Sequence, residues 1–217
     1  MARVQAWIFD LDNTLHDARP WVFPHINRGM TEYIMRHVGL DEAGAGALRE
    51  QYWRRYGATL LGLIRHHGVD PRHFLADTHR MHELERLVLR EAGLRHALAR
   101  LRGRRILFSN SPAHYAQAVL AALGIAGLFD AVYCIEHTGF RPKPDAAGFR
   151  AILHQEHLVP ERAVMVDDLL ENLAAARRLG LRTAWITREA RRPRWLDLKM
   201  ASVRSLSRMA AARGLTS

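Results

Sequence analysis

The feature that most constrains this chain is a repeated ending: apolar runs that stop at acids or small polar residues, each followed by a helical pattern. Residues 4–10, VQAWIFD, are apolar up to Asp10, and Asp12 follows after one leucine. Residues 104–111, RRILFSNS, run into Ser109 and Asn110, and residues 162–168, RAVMVDD, run into Asp167 and Asp168. AVYCIE (131–136) and RTAWIT (182–187) are two more short runs, and MASVRSL (200–206) is the candidate for a last one. Short, nearly continuous apolar runs suit strands covered on both faces, and their alternation with helices of about ten to fifteen residues predicts a parallel sheet with right-handed crossovers. The intervening helices are read at 94–103, 112–123, 145–157, 169–180 and 207–214, and the charged segment 188–199 as a surface loop.

Between residues 19 and 92 the rhythm is different. Helical patterns cover 21–38, 41–57, 58–68 and 71–93, with no strand among them, and Asp70 before Pro71 reads as a helix cap. The expected architecture is therefore α/β: a Rossmann-like parallel sheet flanked by helices, built from residues 1–18 and 93–217, with a helical insertion at 19–92. An insertion directly after the first strand lies beside the carboxyl ends of the strands, where open α/β sheets bind ligands.

Composition narrows the partners. No stretch reaches the roughly 18 uninterrupted apolar residues of a membrane span, and the apolar run after Arg3 breaks at Asp10, too short for a secretory signal. The single cysteine, Cys134, excludes an internal disulfide and is expected to be a buried small hydrophobe. These features fit a non-exported, cytoplasmic protein, expected as a monomer or dimer. The formal charge is +10, carried almost wholly by arginine, since Lys143 and Lys199 are the only lysines. Arginine spread along the whole chain predicts a general attraction for phosphorylated substrates, not a dedicated nucleic-acid surface.

The strand ends carry the chemistry. In a parallel sheet Asp10, Asp12, Ser109, Asp167 and Asp168 project to one edge, and Lys143, between Arg141-Pro142 and Pro144, lies in the loop before the next helix. Aspartates gathered in one crevice repel one another, so a hard divalent cation is expected there. Mg²⁺ suits a few carboxylates together with waters and a phosphate oxygen. Just past the strand end, Asp10 and Asp12 reach one phosphate from different sides. Asp10 is then placed to attack phosphorus, and Asp12 to protonate the departing alkoxide and later deprotonate water. Taken singly, each residue has a blander reading as helix cap, turn residue or solvated loop lysine. Their joint placement in this order is what favours the chemical reading.

Asp10-Leu11-Asp12-Asn13-Thr14-Leu15, Ser109-Asn110, Lys143-Pro144 and Asp167-Asp168 with Asn172 resemble the four motifs of the haloacid-dehalogenase-like (HAD) hydrolases. The resemblance covers residues 4–18 and 94 to about 210, and the helical block sits where that family carries its C1-type cap. It implies Asp10 as nucleophile, Asp12 as general acid/base, Ser109 and Asn110 as phosphoryl-binding residues and Lys143 as charge anchor. It also implies Mg²⁺ held by the Asp10 carboxylate, the Asp12 backbone carbonyl and Asp168, with Asp167 as a helper. Asn172 stands where a second acid is common.

Within the family, Asp12 argues against dehalogenase chemistry, and a cap without lysine excludes a Schiff-base phosphonatase. FDLDNTLHD and VDDLLEN look most like the pyrimidine 5'-nucleotidase branch, so a small phosphomonoester is the expected substrate, with nucleoside 5'-monophosphates placed first. Sugar phosphates or phosphoglycolate, handled by a phosphatase or a mutase, come second. A phospho-acceptor signalling domain or a nucleic-acid-binding module is the reading from another class. Trp21, His25, Tyr33, Trp53 and Tyr56 are candidates either for base stacking or for the core of the helical block.

Overall fold

β1 (Ala6–Phe9) is buried at every residue and lies in the middle of a sheet that is parallel throughout. The computed structural model describes residues 3–80, 86–212 and 214. The other strands are β2 (Arg104–Phe108), β3 (Ala131–Tyr133), β4 (Ala163–Asp167), β5 (Arg182–Ile186) and β6 (Leu198–Met200). They pair in the order β3-β2-β1-β4-β5-β6. β1 is registered with Ala6 opposite Arg104 on one side and Ala163 on the other, which sets Asp10, Ser109 and Asp167 near one level at the sheet's carboxyl edge.

The period-2 alternation of strand side chains splits the core in two. Trp7, Phe9, Leu107, Val164 and Val166 pack on one face with α6 (Ala113–Ala122), α5 (Leu94–Ala99) and α9 (Leu206–Ala212). Ala6, Ile8, Ile106, Phe108 and Met165 pack on the other with α7 (Ala146–Gln155) and α8 (Leu170–Arg178). Both faces are covered, as near-continuous apolar strands require.

The insertion forms α1 (Val22–Val38), α2 (Glu42–Tyr56), α3 (Thr59–His67) and α4 (Pro71–Thr78). Asp41 caps α2 by accepting from the Gly44 amide at 2.8 Å, and Asp70 caps α4 by accepting from the Arg72 amide at 2.9 Å. These helices enclose their own core of Tyr33, Ile34, Tyr52, Leu63, Phe74 and Leu75. Tyr52 lies so close over Gly62 that a Cβ there would stand 2.2 Å from the tyrosine Cγ. The seam with the sheet is interdigitated: Val22, Ile26 and Val88 join the core of the sheet, and Ile135 joins that of the insertion.

Three local expectations are corrected. The helix read over 71–93 stops at Thr78, because His79 leaves helical geometry (φ −112°, ψ 49°) and turns its ring into the core. Residues 81–85 of that reading lie outside the described residues; Arg86 and Leu87 are helical, and residues 88–90 are not. The last strand is Leu198–Met200, within the segment read as loop and its border, and Val203–Ser205 is a 3-10 turn. Buried Leu198 and Met200 flank half-buried Lys199, an alternation too brief to stand out among neighbouring charges. The helix read to Gly103 ends at Ala99. No helix among the described residues is long and apolar enough to cross a membrane.

Candidate active site

The turn after β1 aims its two acids. The Asp10 amide donates to the Val166 carbonyl at 2.9 Å and so continues the ladder, and the Leu15 amide then donates back to Leu11 at 2.9 Å. Asn13 takes the left-handed conformation (φ 61°) and accepts from the Ala18 amide at 3.1 Å through its side chain. Asparagine is one of the few residues that tolerate this geometry. Leu11 and Leu15 go into the core, leaving Asp10 and Asp12 toward the crevice.

Lys143 is buried at 3% exposure. Its ammonium donates to Asp10 Oδ1 at 2.8 Å, to the Phe108 carbonyl at 2.7 Å and to Asp167 Oδ2 at 3.0 Å, using all three N–H groups. Burial works to lower its pKa, and the adjoining carboxylates outweigh it and hold the lysine charged. Asp10 responds differently: burial pushes its carboxyl up, Lys143 pulls it back, Asp167 and Asp168 push it further, and the balance lies at about 8. Asp167, fully buried, also accepts from Asn172 Nδ2 at 3.0 Å and from the Leu169 amide at 2.8 Å. Asp167 is thus held on both oxygens by protein donors. Asp168 is half-buried, and burial followed by the charge of Asp167 raises its pKa to about 6.

Asp12 sits in a different environment. His16 Nε2 lies 2.9 Å from its Oδ1, Tyr115 OH donates to the same oxygen, and Ser111 Oγ donates to Oδ2 at 2.8 Å. Burial works to raise its pKa, and these partners, with the charge of His16, hold it below the ordinary carboxylate value. His79, whose imidazole is pushed down to about 4 by burial, packs edge-on against Tyr115.

Ser109 is buried, and its Oγ accepts from the Ser111 amide at 3.0 Å while its hydroxyl proton remains available to a ligand. Asn110 exchanges two bonds with the Lys143 backbone, Nδ2 to the carbonyl at 3.1 Å and Oδ1 from the amide at 2.7 Å, which ties the lysine loop to the end of β2. Asp10, Asp167 and Asp168 each present an oxygen within 4.8 Å of the others. An all-oxygen donor set of this kind fits a hard divalent cation. Asp10 and Asp168 are the better ligands, because the Asp167 oxygens are already engaged.

All the acids, Ser109, Asn110 and Lys143 therefore meet around one crevice, as the strand-end reading expects. Sequence reasoning missed His16, Ser111, Tyr115 and His79. His16 carried a weak signal, four residues after Asp12, whereas Tyr115 reads only as a core residue of α6. Among the aromatic candidates, Tyr33 is buried and bonds His73 Nδ1 at 2.9 Å, and Tyr56 bonds His66 Nε2 at 2.6 Å, so both serve the insertion's own packing. Trp21 and Trp53 are exposed. Cys134 is buried, and its thiol is pushed up to about 12 by burial, as an inert structural cysteine would be.

The profile of the haloacid dehalogenase-like hydrolases matches residues 4–180. Phosphate metabolism protein 8 of Saccharomyces cerevisiae is 28% identical over 195 residues, a match covering 82% of this chain and 60% of the yeast protein. This chain thus spans less than two thirds of that relative's length. A HAD phosphatase from Thermococcus onnurineus has the same fold with a TM-score of 0.70 at 18% identity, covering 95% of this chain and 97% of the other. L-2-haloacid dehalogenase from Xanthobacter autotrophicus shares it at a TM-score of 0.61 and 18% identity, covering 98% of this chain and 100% of the other. With its motifs gathered at one sheet edge and its profile matched across most of its length, the chain belongs to the haloacid dehalogenase-like hydrolases.

Proposed function

We propose that the protein is a Mg²⁺-dependent phosphomonoester hydrolase working through an aspartyl-phosphate on Asp10. The observation that carries this reading is the pairing of two unlike carboxylates on one turn. Asp10 lies beside Lys143 as a nucleophile, and Asp12 is oriented separately by its own hydrogen-bonding partners. A dehalogenase needs no acid two residues after its nucleophile, and here that acid is held on both oxygens by His16, Tyr115 and Ser111.

In the proposed reaction an Asp10 oxygen attacks phosphorus, the bond from phosphorus to the ester oxygen breaks, and the leaving alkoxide takes a proton from Asp12, which gains that proton in the substrate complex because its partners hold it ionised in the free enzyme. Water then attacks the aspartyl-phosphate, giving its proton to Asp12, and the bond from phosphorus to the Asp10 oxygen breaks. Lys143 orients Asp10 and offsets its charge. Ser109 donates its hydroxyl to a phosphoryl oxygen. Asn110 holds the lysine loop in place. Asp10, Asp168 and the Asp12 carbonyl would hold Mg²⁺, with Asp167 supporting the site from behind. Bound there, the cation supplies positive charge that favours ionised Asp10 and a phosphate dianion.

We place nucleoside 5'-monophosphates first as substrates. The reading rests on the likeness of FDLDNTLHD and VDDLLEN to the pyrimidine 5'-nucleotidase branch. Exposed Trp21 at the start of α1 would offer a face for base stacking. The test is a screen of UMP, CMP, AMP, hexose phosphates and phosphoglycolate with Mg²⁺, run beside Asp10→Asn. Turnover by the wild type alone, best on a nucleotide, is expected. Normal turnover by Asp10→Asn removes it as nucleophile, and turnover confined to hexose phosphates or phosphoglycolate moves the substrate class.

A further inference from the structure

We propose that Tyr115 is a positioning residue for Asp12, and that the segment returning from the insertion holds Tyr115 in place through His79. The inference rests on the phosphatase reading above, since it assigns a supporting residue to that reaction's proton carrier. A carboxylate has about four lone-pair sites. Three on Asp12 are engaged, two at Oδ1 by His16 and Tyr115 and one at Oδ2 by Ser111. Donors on both oxygens resist rotation of the carboxylate, and the fourth site remains for the ester oxygen or water.

Tyr115 reaches Asp12 from a different element, across 103 residues of chain, and its ring is fully buried. It therefore ties Asp12 to α6, whereas His16 shares Asp12's own turn. The other side of the ring environment belongs to the insertion. His79, the first residue after α4, sets its ring edge-on to Tyr115 at 5.6 Å. His79 is itself pinned twice: its Nδ1 lies 2.9 Å from Thr78 Oγ1, and its carbonyl accepts from His114 Nε2 at 3.0 Å. A continuous set of contacts thus runs from the end of α4 through His79 and Tyr115 to the acid/base carboxylate.

The test is the leaving-group dependence of kcat/KM, with p-nitrophenyl, phenyl and benzyl phosphate as probes. A poorer leaving group needs more help from the acid, so misplacing Asp12 costs more on benzyl than on p-nitrophenyl phosphate. Tyr115→Phe, which removes one oxygen atom, is expected to steepen the dependence, with a loss rising to roughly 10–100-fold on the benzyl ester, part of what a general acid supplies. His79→Leu keeps the bulk without the ring and its polar contacts, and it is expected to steepen the dependence in the same sense by a smaller factor. It also serves as the test if Tyr115→Phe does not fold. Equal losses on all three esters, or no loss, in a wild type that turns all three over would overturn the role of Tyr115 alone. A wild type inactive on every ester would overturn the phosphatase reading and this inference with it.

Discussion

Asp168→Asn tests the electrostatics of the crevice without relying on turnover. In the folded protein Asp168 titrates near 6 against an ordinary 3.8, chiefly from burial and then from the charge of Asp167. A folded pKa raised above the unfolded one means that ionisation opposes folding. That cost is absent well below pH 4, grows as pH rises, and is complete above about pH 6. Two pKa units correspond to a ceiling of about 3 kcal/mol. Because Asp168 is half-buried, solvent screening reduces this to about 1–2 kcal/mol. Asparagine keeps the shape and removes the charge, so in EDTA at pH 8 the variant is expected to be more stable than the wild type. The corresponding rise in Tm is roughly 2–8 °C for a chain of this size. At pH 4.5 the gain should fall to roughly half to two thirds, since part of the wild-type carboxyl is then protonated in the fold. Thermal unfolding at the two pH values in chelator measures this directly. Adding Mg²⁺ at about one hundred times its dissociation constant should stabilise the wild type by about 2.7 kcal/mol and the variant far less. A gain equal at both pH values, or a loss at pH 8, would refute the claim that Asp168 is held in a repulsive anionic cluster.

Asp12→Asn is expected to lower turnover by about a hundred- to ten-thousand-fold and also to lower Tm, because it gives up the ionised acceptor of Tyr115 and Ser111, checked by steady-state kinetics beside thermal unfolding. Lys143→Ala strands Asp10 and Asp167 without their cation; urea unfolding at pH 8 should show a loss of about 3–5 kcal/mol. Gly62→Ala places a Cβ against the Tyr52 ring and should cost about 1–3 kcal/mol, read as a lowered urea midpoint.

The sheet was legible because its signal is local. VQAWIF and RAVMVD are short apolar runs ending in acids, and burial of consecutive residues on opposite faces follows from strand geometry alone. The helices of the insertion were legible from caps and glycine stops. The start of α4 was legible too, but its end was not, because His79 leaves helical geometry with its ring packed against Tyr115, a contact that no window around residue 79 contains. β6 was missed because three residues carry too little periodicity to be told from a charged loop.

The amino-acid sequence by itself determined which residues terminate strands, and hence that Asp10, Asp12, Ser109, Asp167 and Asp168 share an edge. That follows from backbone rules acting over a few residues. Only the tertiary structure decided what each of them does there: that Lys143 spends its donors on Asp10, Asp167 and a backbone carbonyl, and that Tyr115 and Ser111 hold Asp12. Those pairings depend on β1 lying between β2 and β4, and the lateral order of strands is set by how all the apolar faces close together, not by any one segment.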